Sequence, residues 1–520
     1  TVGRVTPGRP FPITARIGIE SHAPDLRGTV SLNSKVTYEP VGPQIRLTDL
    51  EIKPELNGKA LPGERLAGRL VSPKLGIDLQ ADRLDSPRLQ WRQTDFALAL
   101  LDISVKNLRS APDYRARLEV PAFDPRKLLN RLAVSLPPMA DRTALASLTL
   151  TGDIRGNTRR AALQQIRLTL DDSTLTGDIT LESFTPLALR YALALDGIDA
   201  DRYLPPPATG PASKAPAPPA GTATAATGEG LPLDFLRRLD AKGLLTIGRL
   251  KAMNLRSERI RIPLAARGGR IRLAPLAAYL YQGTYAGDIR LDVTGPEPRI
   301  RLDERLQDVQ IGPLLADLTG DDKIRGTATL SAKLAADGLD PRAFRRTLNG
   351  TARFDFRDGA VKGFDLVRIE QELRARLKGQ PVPQKAGDER TAFSRITGSA
   401  RITNGLARND DLRAALPHAR AIGAGVADLV SEKVDYTLKV KFTSEVAGQS
   451  GTPYEKIDKP PLPIHFRGTF GKLDIRPDFE TVLKELARRE LKKKEAEVKG
   501  RARKELEKKA GELLKGLKLP

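Results

Sequence analysis

The 520 residues include no cysteine and three histidines, and carry a formal net charge of +22, with 86 Lys and Arg against 64 Asp and Glu. This excludes disulfides, thiol nucleophiles and cysteine–metal centres, and it leaves only His22, His418 and His465, far apart in sequence, to build a zinc site or a Ser-His-Asp constellation. The basic excess favours anionic partners such as acidic lipid headgroups or nucleic acid, although an arginine-rich base composition gives the same balance.

The chain opens on "TVGRV", without a methionine and inside extended structure, so a fragment is expected whose N-terminal segment, with any signal or anchor, has been removed. The longest apolar run, "FALALLDISV" at 96–105, is interrupted by Asp102 and is too short to span a membrane. Alternation of apolar and polar residues predicts strands at "SLTLTGDI" (147–154), "QIRLTL" (165–170), "GDIRLDV" (287–293), "GTARFDF" (350–356) and "KVDYTLKVKF" (433–442), each with one dry face and one wet face. Glycines such as Gly177, Gly287, Gly326 and Gly468 open or separate these runs and supply turns between neighbouring antiparallel strands.

Between the strands a phrase recurs. "AFDPRKLL" (122–129) and "GIDADRYL" (197–204) start 75 residues apart, and "DVQIGPLL" (308–315) follows after 85 more once a 26-residue insert is left out. A period near 80 residues of meandering strands, closed each time by a short helical segment, is the signature of a stacked array. Asp196, Asp199 and Asp201 crowd the second copy, where Asp199 or Asp201 is suited to cap a short helix; the calcium-loop alternative lacks its glycine and distal glutamate.

Residues 205–230 hold seven prolines and two charges, Lys214 and Glu229, and are expected to form a solvated linker or loop. "FDLVRIEQELRARLKG" (364–379) spaces Leu366, Ile369, Leu373 and Leu377 as a short amphipathic helix. From Asp478 a thin apolar stripe (Val482, Leu486, Leu491, Val498, Ala502, Leu506, Ala510, Leu513, Leu517) runs among fourteen basic and seven acidic residues counted between Lys484 and Lys518. Gly500 and Gly511 weaken that pattern, so the tail is expected to be a continuous helix only when bound to something.

A sheet with one apolar face must cover it, because burial is worth roughly 25 cal/mol per Å2. The sequence supplies too few amphipathic helices to do so. Two sheets can close on each other as a sandwich, or one long sheet can curl into a trough whose lining is filled by a ligand. Small inward residues and few aromatics suit a trough, and its natural occupant is an acyl chain.

The stretch 280–338, beginning "LYQGTYAGDIRLDV", with "LNGTARFDFRDGAVKGFDL" (348–366), "FSRITGSARITNGLARNDDL" (393–412), "GAGVADLVSEKVDYTLKVKF" (423–442) and "PPLPIHFRGTFGKLDIRPDF" (460–479), resembles the C-terminal region of the AsmA family. "LDGIDADRYLPP" resembles the phrase this family places before a variable proline-rich insert. The likeness covers most of 231–479 and, more loosely, 1–204. It implies a mainly β fold: a long curled antiparallel sheet of repeating β-groove units, taco-like with an apolar interior, with short helices and a C-terminal amphipathic helix. It also implies a periplasmic protein of the Gram-negative envelope, anchored to the inner membrane by a segment absent from this chain. The family is implicated in moving phospholipid towards the outer membrane and in outer-membrane biogenesis, with no catalytic residue, metal or cofactor to carry over.

The expected domains are 1–204, N-terminal β-groove repeats; 205–230, the linker; 231–478, the AsmA-like C-terminal region; and 479–520, the basic helix. Candidate groove residues for acyl chains are Leu148, Leu150, Ile166, Leu168, Leu170, Ile289, Leu291, Val293, Phe354, Phe356, Leu438, Val440 and Phe442. The expected partners are phospholipid, the inner-membrane and outer-membrane surfaces, and envelope proteins that the sequence does not name. The competing expectation is a non-enzymatic scaffold for outer-membrane protein assembly, with these residues in a closed β core and partners taken through sheet-edge pairing. Nucleic acid is not an expected partner, since the basic tail lacks the interleaved aromatics that stack bases. An enzyme is not expected either, since no phosphate loop, nucleophile elbow or metal-ligand cluster is visible.

Overall fold

The computed structural model describes residues 2–22, 25–59, 61–132, 134, 136–205, 233–381, 389–442 and 460–516. Nearly all of the expected linker, 205–230, lies outside the described residues. The chain forms two compact units, Thr1–Ile300 and Arg301–Pro520. Twenty-five strands make it mainly β among the described residues, with the helices short except for the last.

In the first unit the strands form a meander from Phe11–His22 through to Gly283–Asp292, in which Gln44–Asn57 pairs with both the three-residue strand Arg65–Ala67 and the longer Arg69–Asp78. The expected antiparallel pairing holds with one exception. Leu187–Asp199 pairs parallel with Asp240–Ala252, from Ala188↔Asp240 to Asp199↔Lys251. Local alternation cannot reveal this step, because pairing direction depends on where the chain returns after the insert.

The meander gives the unit two unlike rims. Tight turns at 39–44, 78–83, 106–113, 156–161, 184–187 and 267–270 form one rim. The helix Pro125–Arg131 and the 3-10 turn Ala200–Arg202 follow strands that end at the other. Both begin on an aspartate. Asp124 accepts from the backbone N–H of Arg126 and Lys127, and Asp199 from that of Asp201 at 3.1 Å, as the repeated phrase predicts.

Many strands break their ladder midway, and the breaks fall in one row. The interruption lies between Asn33 and Lys35, Leu101 and Ser104, Leu163 and Ile166, and Leu273 and Leu276. Asp49, Asp102 and Gln165 sit in the left-handed region at the first three of these, at φ near 50°. The extra residue moves the apolar side chains from one parity to the other. Leu98 and Leu100 give way to Ile103 and Val105, and Leu163 to Ile166, Leu168 and Leu170, so the same face stays apolar from end to end. Bulges bend strands and sharpen their twist. An aligned row therefore curls the sheet along one line.

The second unit continues as an antiparallel meander from Ile324–Asp337 to Lys472–Pro477. Its apolar face is covered at one end of the strands. The helix Leu366–Lys378, capped by Asp365, buries Leu366, Ile369 and Leu373 against Phe393, Leu416, Ala421, Val440, Leu462 and Ile464. At the other end Phe344, in the Asp340-capped helix Pro341–Thr347, packs with Leu334, Leu348, Ile402 and Ala407.

The helix Phe479–Gly516 starts in the same core, with Val482 1% exposed and Phe479 and Leu486 beside it. Beyond Leu486 its described side chains are exposed. The helix runs unbroken through Gly500 and Gly511, where the sequence predicts interruption without a partner. Ion pairs at four-residue spacing, Glu480–Lys484, Glu485–Arg489 and Arg503–Glu507, help to offset the roughly 1 kcal/mol that each glycine removes. Leu491, Val498 and Leu506 stand out from it, but Lys509 falls on the line of Leu491 five turns on, so the apolar stripe is thin and broken.

Candidate functional site

The apolar face of the first unit is the candidate site. Leu150 pairs with Leu168, Leu148 with Leu170, and Leu168 with Leu175. The line continues through Leu175↔Leu195, Leu181↔Leu189 and Leu193↔Leu245. These leucines are only half-buried, and their cover comes from neighbours on the same sheet. In a sandwich core the facing sheet would bury such positions fully. Single exposed leucines need no explanation; a run of them across consecutive strands does.

The structure separates the sequence candidates into three groups. Leu148, Leu150, Leu168 and Leu170 share the half-buried face, while Ile166, at the bulge row, is 4% exposed. Ile289 and Leu291 pair with Leu273 and Ile271 further along the same unit. Val293 closes that strand's end under Arg237, whose Nε donates to its carbonyl at 2.9 Å, and is fully covered. In the second unit Phe354 and Phe356 lie side by side, ring centres 5.6 Å apart. Leu438 and Phe442 pack against the helix-covered core, and Val440, 1% exposed, is inside it. Val293 and Val440 are therefore packing residues out of a ligand's reach.

Sequence reasoning passed over Leu175, Ile179, Leu181, Leu189, Leu193 and Leu195, which occupy the middle of the face. Their signal was present in the alternation of "STLTGDITLESF" and "LALRYALALDGID".

Several inward aromatic rings of the two units lie over a glycine. A Cβ on Gly68 would meet the Trp91 ring at 2.3 Å, one on Gly156 the Tyr114 hydroxyl at 2.5 Å, and one on Gly243 the Tyr191 ring at 2.5 Å. In the second unit Phe354 covers Gly398 at 2.6 Å, and Tyr436 covers Gly425 at 2.5 Å and Gly423 at 2.8 Å. Burial pushes the phenol of Tyr191 up, and that of Tyr436 further up.

Asn409 is a polar group buried on the second unit's inward face, at a bulge between Asn409 and Leu412. Its amide donates to the Ser399 carbonyl at 2.6 Å and to Asp411 at 2.7 Å, while its oxygen accepts from the Tyr436 hydroxyl. The network satisfies backbone that the bulge leaves unpaired.

The acidic stretch after Leu195 has structural work. Asp196 accepts from the N–H of Thr174 at 2.8 Å and of Gly197 at 2.6 Å, and Asp201 from Asn254 at 2.9 Å. Lys251 pairs with Asp199 at 3.2 Å. Next to them Tyr203 donates to Asp171 at 2.8 Å, and Asp171 accepts from Leu145, Ala146 and Ser147. Burial pushes the Asp171 carboxyl up, but these hydrogen bonds outweigh it and hold the group below its ordinary value. Arg202 bridges Asp141 and Asp172. Hydrogen bonds from Thr143, and then from Arg202, hold Asp141 at about 2. The stretch is a latch tying the segment after the first capped helix beneath the second.

The polar face carries ion pairs such as Arg272–Asp288–Arg290 and Arg395–Asp355. Among the described residues no group of three His, Cys, Asp or Glu side chains is placed to hold a metal ion, and no helix is long and apolar enough to cross a membrane.

Fold and face together define a class: a mainly β chain of repeating groove units that presents an extended, half-open apolar surface rather than a pocket. A family model described as the AsmA family matches residues 76–412, and the chain belongs to that family. It is 21% identical over 350 residues to Protein AsmA of Escherichia coli (strain K12), an alignment that takes in 65% of this chain and 55% of that protein. The chain thus spans about half the length of that relative.

Proposed function

We propose that this chain binds phospholipid by its acyl chains along the apolar face and conducts it between the inner and outer membranes of a Gram-negative envelope, supporting outer-membrane biogenesis without catalysis. The observation that carries the reading is the run of half-buried leucines from Leu148 to Leu245, over which no second layer lies among the described residues. Acyl chains supply that layer, since each buried methylene contributes about 0.8 kcal/mol. Headgroups stay in water at the rims, so no tight headgroup pocket is needed. The chain works in the periplasm, held at the inner membrane, and hands lipid to the envelope surfaces and proteins at either end. The helix-covered core around Leu373 leaves no room for an acyl chain, so in the second unit acyl chains keep to what its helices leave uncovered.

The test is native mass spectrometry, with solvent extraction, of the purified chain. Several phospholipids per chain are expected. A folded chain that stays lipid-free, including after incubation with mixed phosphatidylethanolamine and phosphatidylglycerol vesicles, would sink this reading and bring forward the scaffold, which needs only sheet edges.

A further inference from the structure

We infer that the glycines under the inward rings set how much chain the groove admits. The inference rests on the lipid reading above. Rings are the bulkiest side chains on the face, and a ring standing off a strand would divide the trough. Here Trp91, Tyr114, Tyr191, Phe354 and Tyr436 each lie against a position without a Cβ. At Gly68 and Gly398 the atoms in the way of an added Cβ are side-chain atoms: three of the Trp91 ring, and two of the Phe354 ring with the Asn409 amide nitrogen. A larger residue at either position must lift the ring, and the space it can enter is the groove. Covering glycine with an aromatic also shields backbone hydrogen bonds and steadies the strand pair. That structural role alone makes no claim on lipid, and the two are separable by experiment.

Trp91 is the one tryptophan of the chain, so its fluorescence reports this seat alone. Phospholipid brominated on its acyl chains is expected to quench Trp91 in the wild type, because an occupant of the groove lies on the ring. Gly68→Val is expected to shift Trp91 emission and to lower the phospholipid retained per chain by native mass spectrometry. The double variant Gly68→Val with Trp91→Leu should restore it. Phe354→Ala should likewise relieve Gly398→Val, which gives a second reading in the other unit should the first variant fail to fold.

Three results separate the possibilities. Retained lipid that is unchanged in folded Gly68→Val and Gly398→Val overturns the inference while leaving the lipid reading intact. Loss in the single variants without recovery in folded double variants also overturns it, since the ring is then not the obstacle. A wild-type chain that neither retains lipid nor shows quenching removes the lipid reading, and the inference falls with it.

Discussion

A charge placed on the open face should be tolerated, whereas the same charge in the covered core should not. Leu168 is half-buried between Leu150 and Leu175, with no layer over it among the described residues. Leu168→Glu removes about half of a leucine's burial, worth ~1 kcal/mol, and leaves the carboxylate in water. Leu373 is 0% exposed and stands among the buried residues of the second unit. Leu373→Glu loses the roughly 3–5 kcal/mol of a deleted core leucine and adds about 2 kcal/mol or more for a carboxyl without a partner. Against a typical stability of about 5–15 kcal/mol, the first change is a modest shift and the second removes a third of it or more, up to the whole. Urea titration followed by circular dichroism, with hydrogen exchange at the two sites because the units can melt separately, gives both numbers. Equal destabilisation at the two sites would refute the open face and restore the sandwich. A folded Leu168→Glu chain should also lose bound phospholipid, since the carboxylate would sit among acyl chains.

The latch should fail in acid. Asp171 and Asp141 are depressed in the folded chain, Asp141 to about 2, so their contribution is complete above the ordinary carboxylate value near 3.8 and fades as pH falls from there towards about 2. Exchange protection at Leu145–Ser147 should decline over that window, and Tyr203→Phe should lower it by about 1 kcal/mol at neutral pH. Asp340→Ala removes the cap of Pro341–Thr347 and should cost about 1 kcal/mol in the second unit's urea midpoint. Truncation after Arg489 removes helix that packs on nothing described, so helical ellipticity should fall while the midpoint stays put; Val482→Asp, inside the core, should lower it strongly.

Strands, capped turns and the amphipathic helix over 364–379 are legible because each rests on local chemistry: alternation, an aspartate beside free N–H groups, leucines at helical spacing. Asp124 and Asp199 stand out because their phrases recur. Asp340, Asp365 and Asp478 cap helices by the same logic, yet they follow strands of the second unit with different spacing and escape a search for a fixed period. The bulge row is also written in the sequence. Leu98, Leu100, Ile103 and Val105 break strict alternation at Asp102, which reads as the end of a strand until the neighbours show the same slip. What the sequence withholds is non-local: the parallel pairing of Leu187–Asp199 with Asp240–Ala252, the covering of Val440, and the seating of Trp91 on Gly68.

That parallel pairing bears on how the chain can be cut. The strands on either side of 206–232 are joined by eleven paired residues, from Ala188↔Asp240 to Asp199↔Lys251, and by Lys251 on Asp199. A protease that nicks this connection therefore does not release two halves. The fragments should migrate together under native conditions and separate only in denaturant.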